Sequence, residues 1–274
     1  MFEEPLRFFV DLIRRDGSLD ELVSADHTFA NRQLAKHYGF DWNDEAQLSD
    51  ADAQSKLAEG NELSDWRRFD EARSFGRGGL LPMSVFLTKN SPGLRTSPVK
   101  RGYWVVRRLL GEHIPAPPPN VPELPKDEKE LGDLSLSQLL AKHRDNSACA
   151  SCHDRFDSVG LIFEAYGPIG EHRTLDLAGH PVQTEAIFPD GSKGKTLADL
   201  QQYIINDRGE DLELNFIRKL MTYALGRSLL LSDTKTIQTV RKRMDENRKS
   251  IRAAVHAIVG SPQFQRKRLD DAAQ

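Results

Sequence analysis

Apolar residues recur at helical spacing along most of the chain. The first apolar face is formed by Phe8, Phe9, Leu12 and Ile13. A second strongly amphipathic stretch runs over 211–225 and is followed by Gly226, a residue type that commonly ends helices. Further helices are predicted over 29–38, 97–110, 134–144, 196–206, 233–246 and 249–259. Since few segments alternate as a half-buried strand would, the pattern predicts a mainly α-helical protein without a large sheet.

Capping residues mark the starts of several of these helices. Thr28, Ser97 and Thr196 each precede a predicted helix and carry a short hydroxyl side chain that can accept a hydrogen bond from a helical N–H. Pro98 lies in the first turn after Ser97, where the missing N–H of proline has no intrahelical acceptor to satisfy. We therefore expect helices to begin directly after these three capping positions.

Three segments interrupt the helical pattern. Residues 41–65 are acidic and poor in apolar residues, which predicts a solvated loop. Residues 74–97 combine glycine and proline with a short apolar run, which is typical of irregular structure that lines a site. Residues 115–125 are rich in proline and must be extended, either as a plain linker or as a strap packed across the surface. This strap divides the chain into an N-terminal helical region, 1–114, and a second helical region, 126–274.

Composition restricts the classes of partner. The 274 residues carry a formal net charge of -3 and 38% hydrophobic residues, an ordinary balance for a globular protein. The small negative charge gives no case for nucleic acid or an anionic membrane as partner. No apolar run approaches the roughly 20 residues that a membrane-spanning helix needs. Residues 1–15 begin with acidic side chains and do not have the pattern of a secretory signal.

The two cysteines of the chain lie three positions apart in the sequence CASCH, residues 149–153. When such a motif starts a helix, both thiols can bond the vinyl groups of one haem, and the following imidazole is directed at the iron. A zinc site usually needs four ligands, and the chain has no second cysteine pair. A thioredoxin-type redox pair usually follows a strand, whereas a helical segment precedes this motif. We therefore predict one covalent haem c, bound by Cys149 and Cys152 with His153 as the proximal ligand, and keep zinc or redox chemistry as alternatives.

The other contacts of this haem are open at the level of sequence. Met83 lies in the irregular segment and His37 lies near the end of a predicted helix, and either is a candidate for the distal position on the iron. Met221 is better explained by core packing, because it lies on the apolar stripe of a helix. A backbone carbonyl usually accepts the second ring proton of a proximal histidine, and the carbonyl of Pro168 is a candidate.

Positive side chains gather around a predicted helix start in the sequence RTSPVKR, residues 95–101. Arg95 and Arg101, together with the N-terminus of that helix, suit an anion. We expect them to hold the haem propionates or an acidic substrate, and the alternative is a solvated basic cap. Arg173 is a further candidate for such a contact. Asp157 and Glu164 are expected either to support the haem site or to be solvated carboxylates.

The segment that begins at the cysteine motif resembles the haem-binding segment of planctomycete-type multi-domain cytochrome c proteins. The family pattern is C-x-x-C-H followed by Asp-Pro-x-Gly, an aromatic-Glu segment and Gly-x-Trp-Arg. The matching positions are Asp157, Gly160, Glu164, Gly170 and Arg173, and the departures are Ser158, Gly167 and His172. Residues 26–40, 77–111 and 216–229 and the proline strap also resemble family segments.

The resemblance implies a cytochrome c-like, haem-binding helical domain, located in the periplasm or cell envelope where haem is attached to this motif. It also implies that the chain is the C-terminal portion of a longer protein, often with a further cytochrome domain, or a truncated gene product. The function expected first is electron transfer with a redox partner protein. A haem-dependent oxidoreductase of peroxidase or oxidase type and a binding module with a structural haem are the alternatives.

Overall fold

The computed structural model describes residues 1–42, 66–115, 125, 127–130, 132, 135–144, 150 and 152–266. Within these residues the protein is mainly helical, and its strands form two antiparallel pairs. The mainly α prediction is therefore confirmed, whereas a cytochrome c-like fold stays a prediction. Most of the predicted acidic loop, most of the proline strap and Cys149 lie outside the described residues. None of the helices in the described ranges is long and apolar enough to cross a membrane.

The first part of the chain surrounds a short antiparallel sheet. Its elements are α1 (Glu3–Arg14), α2 (Glu21–Ser24), β1 (His27–Ala30), α3 (Arg32–Tyr38) and β2 (Arg67–Asp70). The strand β1 pairs with β2 so that His27 lies opposite Asp70. Phe8 and Leu12 of α1 are fully buried and Phe9 is partly buried, but Ile13 is 42% exposed, so the apolar face predicted for this helix is confirmed only in part.

The helix predicted over 29–38 begins later than expected. Thr28 lies inside β1 and does not cap a helix. Asn31 caps α3 instead, because its side chain accepts a hydrogen bond from Leu34 N, and Gly39 ends the helix with a φ of 77°. The start was misplaced because β1 pairs with a strand that is distant in the sequence, which no local signal indicates.

The middle of the chain carries the helix that follows the RTSPVKR segment. Its elements are a 3-10 helix (Ala72–Phe75), α4 (Ser84–Lys89), α5 (Pro98–Trp104) and a π-helical turn (Val105–Leu109). Ser97 caps α5 by accepting from Lys100 N, as predicted. The helix widens after α5, where Leu110 N donates to Val105 O at 2.9 Å. The predicted helix over 97–110 is therefore present, but its second half is not α-helical.

Helices also dominate the second half of the chain. The elements before the hairpin are a 3-10 helix (Glu128–Glu130), α6 (Leu136–Arg144), α7 (Asp157–Leu161) and a 3-10 helix (Ile162–Ala165). The hairpin and the elements after it are β3 (Ala186–Ile187), β4 (Lys193–Gly194), α8 (Leu197–Asn206), α9 (Gly209–Leu225), a 3-10 helix (Leu231–Asp233), α10 (Thr234–Asp245), α11 (Ile251–Val259) and α12 (Pro262–Gln265). Thr196 and Asp199 form a capping box at the start of α8. These bounds agree closely with the predicted ones, because caps and apolar spacing are local signals.

Two glycines bring α5 and α7 into backbone contact. A Cβ atom placed on Gly102 would lie 2.0 Å from Phe156 O, and a Cβ atom placed on Gly160 would lie 2.0 Å from Pro98 O. Any larger side chain at either position would therefore push the two helices apart. The close crossing attaches the segment that follows the cysteine motif to the first half of the protein.

One hydrophobic cluster contains residues from both sides of the proline strap. Phe86 and Val105 come from the first side, and Phe163, Leu200 and Ile217 come from the second. The rings of Phe86 and Phe163 lie 5.5 Å apart in an edge-to-face arrangement. The two sides thus share a core, while the division of the chain into three regions at the strap stays a prediction.

Candidate functional site

The structure describes the second half of the cysteine motif. Cys152 and His153 lie in a helical turn, and Phe156 N donates to His153 O at 3.1 Å, which closes the turn just before α7. Cys152 is partly buried and packs against the main hydrophobic cluster. The imidazole of His153 contacts the ring of Phe156, with centroids 5.1 Å apart. The helical placement of these two motif residues agrees with the requirement for haem attachment.

His153 is held by a buried carboxylate four residues further along the chain. Its Nδ1 lies 3.0 Å from Oδ1 and 3.1 Å from Oδ2 of Asp157, which is 0% exposed. The expected backbone carbonyl, for which Pro168 was the candidate, is therefore replaced at Nδ1 by a side-chain carboxylate. Asp157 is also not the solvated carboxylate of the alternative interpretation, because helical spacing brings residues i and i+4 together on the buried side.

Asp157 has a second partner on the other side of the cysteine motif. Arg144 Nη1 lies 3.1 Å from Asp157 Oδ2. Arg144 is the last residue of α6, and Asp157 is the first residue of α7. A single carboxylate therefore connects the helix that precedes the motif, the motif histidine and the helix that follows.

These contacts fit a histidine that binds a metal through its other ring nitrogen. A carboxylate accepts hydrogen bonds, so an imidazole that donates Nδ1–H to Asp157 presents Nε2 for binding a metal. Metal-binding histidines usually have this arrangement, in which a carboxylate or carbonyl fixes the tautomer and the orientation of the ring. The described residues thus fit the proximal ligand of a haem c, with thiols as the other groups of the motif.

Arg101 is fully buried and donates to the backbone of the segment after α7. Its guanidinium donates to the carbonyl oxygens of Phe163 at 2.8 Å, Tyr166 at 2.7 Å and Gly167 at 2.7 Å. Burial lowers the pKa of Arg101 to about 10, so the group stays charged at neutral pH. These contacts attach α5 to the second half of the protein and explain the burial of Arg101 without a bound anion.

Arg173 lies in a network with two buried carboxylates. Its guanidinium is 2.8 Å from Glu128 Oε2, 3.0 Å from Glu164 Oε2 and 3.1 Å from Thr96 Oγ1. Burial opposes ionisation of Glu128, but the hydrogen bonds and charge of Arg173, together with hydrogen bonds from the backbone N–H groups of Leu177 and Thr96, outweigh it and lower the pKa of that carboxyl. Burial dominates at Glu164 and raises its pKa despite the same arginine. Glu128 was missed by sequence reasoning, because it lies in an acidic segment that reads as solvated.

Arg95 extends the same network. Its Nε donates to Pro125 O at 2.6 Å and its Nη1 to Thr96 O at 3.0 Å. The structure therefore brings Arg95 and Arg173 together around Thr96, with acceptors that belong to the protein itself. The solvated basic cap is not what the structure has at these positions, and a contact with haem propionates stays a prediction.

The two distal candidates lie around the loop that follows Tyr166. His37 Nε2 is 3.1 Å from Ile169 O. Met83 is 1% exposed and precedes α4; the next residue, Ser84, lies against Gly170. Their assignment as iron ligands stays a prediction.

Three protein-family models match the chain. "Protein of unknown function (DUF1592)" matches residues 1–40, "Protein of unknown function (DUF1588)" matches residues 77–176, and "Protein of unknown function (DUF1585)" matches residues 190–264. The three matched domains are the domains of planctomycete-type multi-domain cytochrome c proteins. No curated protein and no solved structure matches the chain.

Most of the candidate site lies within one of the three matches, whereas His37 lies in the DUF1592 match. The DUF1588 match contains His153, Asp157 and Arg173. The same match contains α5, which crosses α7 at Gly102. Most residues of the candidate site and the helix packed against them therefore fall within one matched domain. The descriptions of the three family models assign no reaction to it.

A buried polar cluster near the N-terminus was missed from the sequence. Glu4 accepts hydrogen bonds from Tyr38 Oη and Thr28 Oγ1, both at 2.7 Å. Burial raises the pKa of Glu4 to about 7, and the two hydroxyl donors only partly oppose the shift. The Arg77 guanidinium lies 3.9 Å from the centroid of the Tyr38 ring. The helical spacing could have indicated that Glu4 is buried, because Glu4 lies one helical turn before Phe8 on the buried face of α1.

Proposed function

We propose that the chain is a c-type cytochrome that binds one haem covalently and exchanges electrons with a partner protein. The observation that carries the proposal is the 3.0 Å contact between Nδ1 of His153 and the buried carboxylate of Asp157. It supports a metal-binding role for Nε2 of the same ring, and the sequence CASCH supplies two thiols beside it. Membership of a cytochrome c-containing family supports the same role.

The chain's own residues divide the work of the site. Cys149 and Cys152 would hold the haem through thioether bonds, each made by addition of a thiol S–H across one vinyl C=C bond. His153 would bind the iron through Nε2 while Asp157 holds Nδ1. Bound haem would supply one-electron Fe(III)/Fe(II) chemistry. Met83 or His37 is our candidate for a second iron ligand.

We place this function in the periplasm or cell envelope. Attachment of haem to a C-x-x-C-H motif takes place there in proteins that resemble this one. A redox partner protein follows from the same proposal, since a cytochrome must receive and deliver electrons. Location is tested by expressing the natural gene in its host and staining the separated cell fractions for haem.

The covalent attachment is tested with the double variant Cys149→Ala/Cys152→Ala. The full chain is produced in a periplasm with a cytochrome c maturation system and stained for haem after denaturing electrophoresis. We expect stain on the unchanged chain and none on the double variant, since both thioether bonds are lost. Ser151→Ala is the matched control and is expected to stain, because it leaves both thiols and His153 in place. Stain that survives loss of both cysteines contradicts the proposal.

A second candidate is a haem-dependent oxidoreductase of peroxidase or oxidase type. The contact of Asp157 with His153 favours it, because a carboxylate at Nδ1 makes the imidazole a stronger electron donor to iron. The discriminating measurement is the optical spectrum of oxidised and reduced protein. A strong sixth protein ligand supports electron transfer alone, whereas an open sixth position that binds cyanide or carbon monoxide favours the oxidoreductase.

A further inference from the structure

The histidine of the cysteine motif and an arginine that precedes the motif meet at Asp157. His153 Nδ1 and Arg144 Nη1 lie 3.0 and 3.1 Å from its carboxylate oxygens. Asp157 is 0% exposed, and its hydrogen bonds in the described part of the chain come from side chains. Burial of a carboxylate costs free energy unless its partners compensate, so Asp157 depends on both of them.

A second histidine–aspartate pair of equal spacing provides a comparison. His180 Nδ1 lies 3.4 Å from Asp176 Oδ2, and this pair is also four residues apart. Asp176 additionally accepts from the backbone N–H groups of Ala178 and His180, so it closes a turn. Its role is explained by that turn, whereas Asp157 contacts the histidine of the cysteine motif and the arginine before it.

We propose that Asp157 is a positioning residue that fixes the ring of His153 and lowers the reduction potential of the haem, with Arg144 limiting the effect. The inference rests on the proposed function. A carboxylate that accepts a hydrogen bond from Nδ1–H increases electron donation from Nε2 to the iron. Stronger donation stabilises Fe(III) relative to Fe(II). Arg144 shares the negative charge of the carboxylate and so weakens that donation.

The two substitutions therefore have opposite expected effects. Asp157→Asn removes the negative charge, so the haem becomes easier to reduce. Arg144→Gln leaves the carboxylate with His153 alone and removes a positive charge, so the haem becomes harder to reduce. A purely structural role for the cluster would instead shift both variants in the same direction, because each would loosen the same loop.

The experiment is a redox titration of the full chain with haem attached, followed by optical absorbance. At a fixed ambient potential, we expect Asp157→Asn to raise the ratio of reduced to oxidised haem by about tenfold, or about 59 mV for a one-electron couple. Arg144→Gln is expected to lower that ratio. Asp176→Asn is the matched control and is expected to leave it unchanged, since its histidine lies outside the cysteine motif.

Haem staining of every variant separates the two possible failures. A wild-type chain without covalent haem overturns the proposed function. Stained Asp157→Asn protein with an unchanged potential overturns only the role of Asp157. A shift in one direction for Asp157→Asn and Arg144→Gln, or an equal shift for Asp176→Asn, also overturns it. If Asp157→Asn does not fold, Asp157→Glu replaces it. Because glutamate keeps the negative charge, a reduction potential close to that of the wild type supports the charge account. A reduction potential shifted in the same direction as that of Arg144→Gln overturns it.

Discussion

One buried carboxylate site contains Asp157, the first residue of α7, and another contains Glu164, in the 3-10 helix that follows α7; their partners differ in kind. Glu128 and Glu164 pair with Arg173, whose guanidinium is charged at all ordinary pH values. Asp157 contacts His153, which can bind a metal through its second ring nitrogen. Burial of charge is common to both sites and does not by itself indicate function. The chemistry of the partner separates a network that stabilises the fold from one that can act on a cofactor.

The largest expected effect is at the arginine network. Arg173→Met leaves two buried carboxylates without their cation, so we expect the free energy of unfolding to fall by about 3–5 kcal/mol. Urea unfolding followed by circular dichroism measures it. Arg243→Met is the control, because its pair with Glu246 is exposed and contributes less than about 1 kcal/mol. An equal loss for both variants would mean that burial of the network adds nothing to its strength.

The next largest effect is at Glu4, a buried carboxylate whose described hydrogen-bond partners are the hydroxyl groups of Thr28 and Tyr38. Because burial raises the pKa of Glu4 from 4.5 to about 7, the folded state favours the protonated form. This stabilisation is full below pH 4.5 and is lost as the pH rises towards 7, a change of about 3 kcal/mol.

The measurement compares unfolding of wild type and Glu4→Gln between pH 4.5 and 8. The amide resembles the protonated carboxyl, so we expect wild-type stability to decrease relative to the variant as the pH rises. Glu3→Gln, an exposed neighbour, is expected to follow wild type. A constant difference between wild type and Glu4→Gln at all pH values would show that Glu4 is ionised throughout.

The smallest effect concerns the helix crossing that joins the two sites. Gly102→Ala places a methyl group against Phe156 O, so α5 must move from α7 and the free energy of unfolding is expected to fall by about 1–3 kcal/mol. Gly209→Ala is the control, since an added Cβ at Gly209 would lie 3.9 Å from Lys249 Nζ and 4.0 Å from Ile204 O, and alanine favours a helix. Equal stability of Gly102→Ala and wild type would show that the crossing adapts without cost.

Local signals determined much of this protein from the sequence alone. The caps at Ser97 and Thr196 and the helix end before Gly226 agree with the structure, because each depends on residues within one helical turn. The motif at 149–153 was likewise recognisable from local sequence, since its proposed chemistry depends on the spacing of neighbouring residues. The contact between His153 and Asp157 is also local, although its burial is not visible in the sequence.

Only the tertiary structure decided which polar groups are buried and what they contact. Thr28 was misplaced as a helix cap because its strand pairs with a distant one. Arg101 was expected at an anion, but three of its described acceptors are carbonyls more than sixty positions away. Glu128 and Arg173 likewise meet only when the chain has folded. The physical reason is that a charged side chain is stable in the interior only with a partner, and for these residues a distant segment supplies that partner.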